Sequence, residues 1–382
     1  GLLMRDYIVT ETEISGRRFL CAALYEDQKL TALKIRPRGE ESSVGQIRTG
    51  YVSDRVKNIG GAFVTSGKEK YFLPDYRPEK TDPGHVVFTV TKDALGNKSP
   101  VGSTAVEIPG RYAVIRTGTG EVRYSKKLTA EEKRVLQKWL EGTSYAGMNL
   151  LVRTNARRAD KAAFLKEVNE IAGTLENVLK TAEKAGNGAV LYKPAPFYAD
   201  MLKDLYELPD RILTDSPSVY ESLRGPDGDE RVSFYENRTL TLAELYGLPH
   251  ELEKLTGRVA WLKCGAYLVI EKTEAFVSID VNSGKCEKGR IPEETYRKIN
   301  LEAAEEVVRQ VMLRNLSGMI LVDFINLSRA EHREELVNVM KKLVKKDHLR
   351  MDVIDLTPLG IMEIVRQKGE KSLEEILKNH FT

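Results

Sequence analysis

Two aspartates, Asp280 and Asp323, close or nearly close short apolar runs, Ala275-Phe-Val-Ser-Ile-Asp and Gly318-Met-Ile-Leu-Val-Asp-Phe-Ile. Both runs read as buried β-strands, being short and β-branched. Residues i and i+2 of a strand share a face, so Asn282 points the same way as Asp280. Two carboxylates at the carboxyl ends of adjacent strands make a hard oxygen site in the crevice where α/β sheets bind ligands. Mg²⁺ suits such a site, because it takes one or two carboxylates, keeps several waters and leaves room for a phosphate. The ion would lower the pKa of a bound water and neutralise charge on a phosphodiester. The residues alone leave a second reading open, in which each is a strand-end aspartate paired with a Lys or Arg.

A second constellation is Leu150-Leu-Val-Arg-Thr-Asn-Ala-Arg-Arg, where a strand ends with Arg153 beside the hydroxyl of Thr154. A guanidinium fork next to a hydroxyl suits a terminal phosphate, which arginine grips in bidentate fashion. An ordinary surface ion pair is the alternative. Gly118-Thr-Gly120 is too short for a phosphate loop and reads as a turn. Metal-free phosphodiester cleavage usually needs paired histidines as acid and base. The five present, His85, His250, His332, His348 and His380, fall in no motif that pairs them. His332 falls at a helix start after the Asp323 strand, where a solvated helix residue is expected. Cys21, Cys264 and Cys286 lie far apart, which excludes a disulfide framework or a CxxC clip and suggests structural roles.

The elements that must position these groups follow from composition and period. The chain has 382 residues, 41% hydrophobic and 30% charged, enough for two or three domains with real cores. A net charge of +3 allows an anionic partner without requiring one. No apolar run is long enough to span a membrane and no secretory layout opens the chain, so a cytoplasmic protein is expected. Gly1 to Leu3, ahead of Met4, read as a cloning remnant. The first third is strand-like, and its spacing suits a small barrel over 42–115. Leu136, Trp139 and Leu140 mark one helix, and 163–185 another. From about 256 strands alternate with helices at 293–315 and 331–346, which predicts an α/β sheet covered on its faces.

The flanking residues carry a resemblance. Thr273-Glu-Ala-Phe-Val-Ser-Ile-Asp-Val-Asn-Ser-Gly, Asn300-Leu-Glu-Ala-Ala, Leu321-Val-Asp-Phe-Ile-Asn and Gly360-Ile-Met-Glu-Ile-Val-Arg-Gln-Lys closely resemble the catalytic region of the ribonuclease E/G endoribonucleases, in order, through almost the whole chain. The resemblance implies that Asp280 and Asp323 hold the catalytic Mg²⁺ and that Asn282 orients its shell. Asn326 stands where relatives often carry a second aspartate. Gly61-Ala-Phe-Val-Thr-Ser-Gly and Tyr71-Phe-Leu-Pro look like the core of an S1-type barrel, and the family puts Phe63, Phe72 and Lys98 (of Gly96-Asn-Lys) on its RNA-binding face. The residues alone favour ordinary barrel core for both phenylalanines. Arg153 and Thr154 match the family's sensor of an RNA 5′-monophosphate, with Gly110, Val114 and Arg350 in support. Arg157 and Arg158 make the following stretch more basic than in relatives.

The implied architecture is an α/β and β multidomain protein. An RNase H-like scaffold (4–41 and 189–255) is interrupted by an S1 barrel (42–115) and a sensor region (116–188), and a DNase I-like catalytic domain (256–382) follows. The implied function is Mg²⁺-dependent cleavage of single-stranded RNA at A/U-rich sites, leaving 5′-phosphate and 3′-hydroxyl ends and favouring 5′-monophosphorylated RNA. Precursors of rRNA and mRNA are the implied substrates. A catalytically weak RNA-binding protein of the same fold is the alternative, and a DNA nuclease is disfavoured by the S1-like barrel. Relatives share zinc between protomers through a Cys-Pro-x-Cys segment. The cysteine spacing here predicts no structural zinc and a monomer or weak homodimer, and the lack of a long apolar run predicts no membrane partner.

Overall fold

The computed structural model describes residues 3–56, 60–77, 84–94, 97–145, 147–226, 228–284 and 292–378. Gly96, Cys286 and His380, named above, lie outside the described residues. The chain divides into two compact units, Gly1–Glu40 with Phe197–Thr382, and Glu41–Pro196.

Strands β1 (Arg5–Ile14), β2 (Arg17–Glu26) and β3 (Lys29–Pro37) form an antiparallel meander in the first unit. The second unit begins with β4 (Ile47–Arg55), β5 (Ala62–Ser66), β6 (Glu69–Leu73), β7 (His85–Lys92) and β8 (Val101–Ser103). They run in the order β4-β5-β6-β8-β7, and β7 pairs back onto β4, which closes a five-stranded barrel. Closure leaves no free strand edge within it. Val64, Tyr71, Leu73 and Phe88 fill its interior.

Four further strands, β9 (Glu107–Pro109), β10 (Ala113–Arg116), β11 (Val122–Tyr124) and β12 (Asn149–Val152), make a sheet in the order β11-β12-β10-β9, so it draws strands from both sides of position 115. Helices α1 (Ala130–Leu140) and α2 (Lys161–Ala182) pack on it through Leu136, Phe164, Val168 and Leu175. A Thr129–Glu132 capping box starts α1, and the Asp160 side chain accepts from the Ala163 N–H to start α2. β13 (Val190–Tyr192) then pairs with β4.

Back in the first unit, α3 (Phe197–Asp204), β14 (Arg211–Thr214), α4 (Pro217–Arg224), β15 (Val232–Phe234), α5 (Leu242–Leu245) and α6 (Leu248–Thr256) follow. β14 and β15 extend the meander in parallel, in the order β15-β14-β1-β2-β3. The buried run Tyr7-Ile8-Val9 at the centre of β1 reflects cover on both faces. Tyr7 and Val9 meet Tyr198 and Met201 of α3, and Ile8 meets Leu248 and Leu252 of α6.

The last segment contains β16 (Val259–Trp261), β17 (Tyr267–Lys272), β18 (Val277–Asn282), α7 (Glu293–Leu313), β19 (Gly318–Asp323), α8 (Ala330–Leu343), β20 (Met351–Leu356), β21 (Ile361–Arg366) and α9 (Leu373–Lys378). Its sheet order is β16-β17-β18-β19-β21-β20, and among the described residues only β18–β19 is parallel. The sheet is thus mixed, and it lacks the expected cover on both faces. Helices α7 and α8 cover one face, where Ile279, Ile320 and Val322 pack with Ala303, Val307 and Met340. Each such aliphatic contributes roughly 1.5–3 kcal/mol by burial. The opposite face leaves Trp261, Met319 and Val365 exposed. The alternation Val277-Ser-Ile-Asp-Val-Asn is the physical reason, since a one-sided strand belongs to a one-sided sheet. No helix among the described residues is long and apolar enough to cross a membrane.

Candidate active site

β18 and β19 lie parallel with Asp280 directly opposite Asp323 in the ladder. Val277, Ile279 and Val281 point into the core, so Ser278, Asp280 and Asn282 occupy the open face. The Asn282 amide Nδ2 donates to Asp280 Oδ2 at 2.8 Å and fixes that carboxylate's orientation. Partial burial, followed by the charge of Asp280, raises the Asp323 carboxyl above its ordinary value. Two acidic groups pressed together in this way form a site that a cation relieves. The donors are hard oxygens, and among the described residues no three His, Cys, Asp or Glu side chains gather into a closed cage. That set fits Mg²⁺, which needs few protein ligands and retains water, and does not resemble a closed zinc site.

Two clamps hold the segment that follows Asp323. Asn300, fully buried on α7, donates through Nδ2 to the Ile325 carbonyl at 2.8 Å and accepts the Ile325 N–H at 3.0 Å. Glu293, the first residue of α7, accepts from the Arg329 N–H at 2.9 Å and from the Ser328 hydroxyl, which brings a carboxylate to the start of α8. His332 Nδ1 lies 2.9 Å from the same carboxylate. His332 is therefore largely buried and paired, which corrects its reading as a solvated helix residue; its α8 turn faces Glu293 of α7. The hydrogen bonds from the Arg329 backbone and, less strongly, His332 hold the Glu293 carboxyl below its ordinary value. Just after β18, Gly284 has φ +60°, and a Cβ there would stand 2.4 Å from the Gly265 carbonyl oxygen. The Ser-Gly that ends the Asp280 motif thus lets two turns approach closely.

Asn300 opens one of the motifs quoted above, but its role as a positioning residue is visible only in its contacts with Ile325. An asparagine sharing the apolar face of a helix with Ile299 and Ala303 was the available signal. Replacing Asn300 with Ala leaves the N–H and C=O of Ile325 unpartnered. The expected cost is roughly 1–3 kcal/mol of stability, together with a raised Mg²⁺ requirement for cleavage. Thermal unfolding and a Mg²⁺ titration of activity measure both, and an unchanged titration would remove Asn300 from the site's support.

In the barrel, Phe63 and Phe72 are ladder partners whose ring centroids lie 5.2 Å apart. Both are only partly buried and alternate with the core residues Val64 and Tyr71, so they stand on the outer face; the reading as barrel core is corrected. Lys70 Nζ sits 4.8 Å from the Phe63 centroid. Lys98 is exposed, on the segment leading to Pro100, whose carbonyl accepts the Phe72 N–H at 2.8 Å. An aromatic pair bordered by lysines can stack bases and attract phosphates.

Arg153, at the end of β12, donates through Nη1 to the Gly110 carbonyl at 2.5 Å, and the Thr154 and Ser125 hydroxyls lie 2.8 Å apart. Val114 pairs with Leu151 in the sheet, and Gly110, Arg153 and Thr154 sit just past the ends of its strands β9 and β12. The 110–113 turn is held by Glu167 of α2, which accepts from the N–H groups of Arg111 and Tyr112, each at 2.7 Å, and of Ala113 at 3.2 Å. A Cβ on Gly110 would meet the Glu167 carboxyl carbon at 2.6 Å. Arg350 belongs to the first unit, exposed at the start of β20, with Nε 2.7 Å from Asp352. The 118–120 segment is a turn, as expected, because the Asn149 side-chain oxygen accepts the N–H groups of Thr119, Gly120 and Glu121. Cys21 is buried, whereas Cys264 is exposed in the β16–β17 turn, which corrects its reading as a structural residue.

Comparison with known proteins adds to this geometry. Residues 107–369 match the profile of the ribonuclease E/G family. The chain is 29% identical to the ribonuclease G of Salmonella typhimurium over 92% of its own length and 78% of that protein. It is 28% identical to the ribonuclease G of Escherichia coli K12 with the same coverage. The ribonuclease E of Haemophilus influenzae is 29% identical over 97% of this chain, which spans 42% of that protein.

Proposed function

Because the chain belongs to the ribonuclease E/G family and is an endoribonuclease of RNA processing, we propose that it hydrolyses single-stranded RNA with Mg²⁺ held by Asp280 and Asp323. The observation that carries this reading is the pairing of the two aspartates side by side on the open ends of parallel strands. Bound Mg²⁺ would supply neutralising charge at the scissile phosphate and acidify the attacking water. The rest falls to the chain's own residues. Asp280 and Asp323 present oxygens from two strands whose core faces are locked by packing. Asn282 keeps the Asp280 carboxylate turned, while Asn300 and Glu293 hold the exit of β19. Attack that expels the 3′-oxygen leaves 5′-phosphate and 3′-hydroxyl ends.

The five-stranded barrel is read as an S1-type domain in which Phe63, Phe72 and Lys98 bind RNA without strong sequence demand. The sheet of β1–β3, β14 and β15 is read as the RNase H-like scaffold, and that of β16–β21 as the DNase I-like domain. Arg153 and Thr154 are read as the 5′-monophosphate sensor, supported by the guanidinium and hydroxyl being held together beside Gly110. The exposed phenylalanine pair alone would suit a pure RNA binder, but the carboxylate pair gives that reading no reason to exist.

Cleavage of a short labelled single-stranded RNA, with and without Mg²⁺ and with 5′-phosphate or 5′-hydroxyl ends, tests the assignment. Arg153→Ala is expected to erase the preference for the 5′-monophosphorylated substrate, a charge-assisted contact of about 1.5–3 kcal/mol, while leaving the 5′-hydroxyl substrate nearly unaffected. Equal slowing of both substrates would make Arg153 a structural residue.

A further inference from the structure

One feature of the open face is unused by the reading above. Trp261, on the short edge strand β16, exposes 65% of its surface, and its ring centroid lies 4.9 Å from that of Tyr267 on β17. Tyr267 is the direct ladder partner of Asn282, and Trp261 is the partner of Tyr267. Trp261, Tyr267 and Asn282 therefore form one row across three strands on the face that carries Asp280. Adjacent strands are spaced about 4.8 Å apart, which puts Tyr267 one spacing and Trp261 two spacings from the strand of the proposed metal ligand. Exposed Lys263 sits in the turn between the two aromatic strands.

We propose that Trp261 and Tyr267 form a stacking site for the base of a nucleotide flanking the scissile phosphate. The inference rests on the reading of Asp280 and Asp323 as the cleavage centre. Ring faces beside the row of polar groups fit an unstacked nucleobase, which offers a π-face whatever its identity. On that face of β18, Ser278, Asp280 and Asn282 are polar and can meet a ribose-phosphate chain, while Val259, Met319 and Val365 on the same face are exposed apolar groups. The site would hold the chain at the carboxylates and add productive binding without base discrimination.

The test uses the full chain, Trp261→Ala, Trp261→Phe and a short A/U-rich single-stranded oligoribonucleotide. Trp261→Ala is expected to raise KM about 5- to 150-fold, the equivalent of ~1–3 kcal/mol per stacked base, with kcat changed far less, and Trp261→Phe to restore most of it. A second arm is independent of catalysis. The chain has two tryptophans, so in a Trp139→Phe, Asp280→Asn background the remaining indole reports on Trp261, and the same RNA should quench it. Active wild-type enzyme with unchanged KM in Trp261→Ala, or RNA that binds without quenching, overturns the stacking site while leaving the cleavage centre intact. Quenching in a protein whose wild type shows no Mg²⁺-dependent cleavage would uphold the stacking site and overturn the cleavage assignment. A change of sedimentation in Trp261→Ala would make the tryptophan a contact between copies and overturn the inference.

Discussion

Asn in place of either Asp280 or Asp323 should bring RNA cleavage close to zero while leaving RNA affinity and folding largely intact. Each carboxylate contributes charge that a metal needs at the scissile phosphate, an effect of several kcal/mol in the transition state. A loss on the order of 10³-fold in kcat follows from about 4 kcal/mol. Folding should not suffer. Asp323 is raised partly by the Asp280 charge facing it, so Asp280→Asn removes a repulsion and lets the Asp323 carboxyl fall back toward its ordinary value. RNA binding should persist, since Phe63 and Phe72 are untouched. Single-turnover cleavage in Mg²⁺, with fluorescence anisotropy for affinity and thermal unfolding as the control, reads all three quantities. Near-normal turnover in either variant would sink the metal assignment.

The largest loss of stability is expected away from the carboxylates, at Asp347. Arg366 on β21 is buried to within 1%, and its Nε meets Asp347 Oδ2 at 2.5 Å, with Asp347 wholly buried. Nη1 donates to Asn315 Oδ1 at 2.7 Å and to the Leu316 carbonyl at 2.9 Å, and Nη2 to Asp347 Oδ1 at 3.3 Å. Arg366 is also the ladder partner of Gly318 at the start of β19, the strand that ends in Asp323. Asp347→Ala strands a buried cation and should cost about 3–5 kcal/mol. Removing both charges, as Asp347→Leu with Arg366→Met, should recover much of that loss, because the desolvation penalty goes with them. Urea unfolding of the two variants decides the matter. A single variant within about 1 kcal/mol of wild type would contradict the cost expected for an orphaned buried charge.

The strands and long helices were legible because their periods are local. Val277-Ser-Ile-Asp-Val-Asn alternates at two residues and became β18, and Leu136, Trp139 and Leu140 mark the helix that became α1. The acidic pair was legible as a candidate because aspartates ending apolar strands are unusual, and the flanking motifs matched a family. Cover on both faces of the last sheet does not follow from alternation, because alternating elements do not state which strands become neighbours. That depends on β21 inserting between β19 and β20, a long-range pairing with no local signature.

By itself the sequence determined which residues could do chemistry, where strands and helices lie, and to which family the chain belongs, since these depend on residue type, short-range period and motif. Tertiary structure alone decided the rest. Pairing of β18 with β19 in one register brings Asp280 opposite Asp323, although 42 positions separate them in the chain. The closed barrel turns Phe63 and Phe72 outward as a pair. Packing of α7 against the exit of β19 converts Asn300 and Glu293 from helix residues into clamps. A carboxylate becomes part of a metal site only when another charge is forced beside it, and that proximity is a property of the fold.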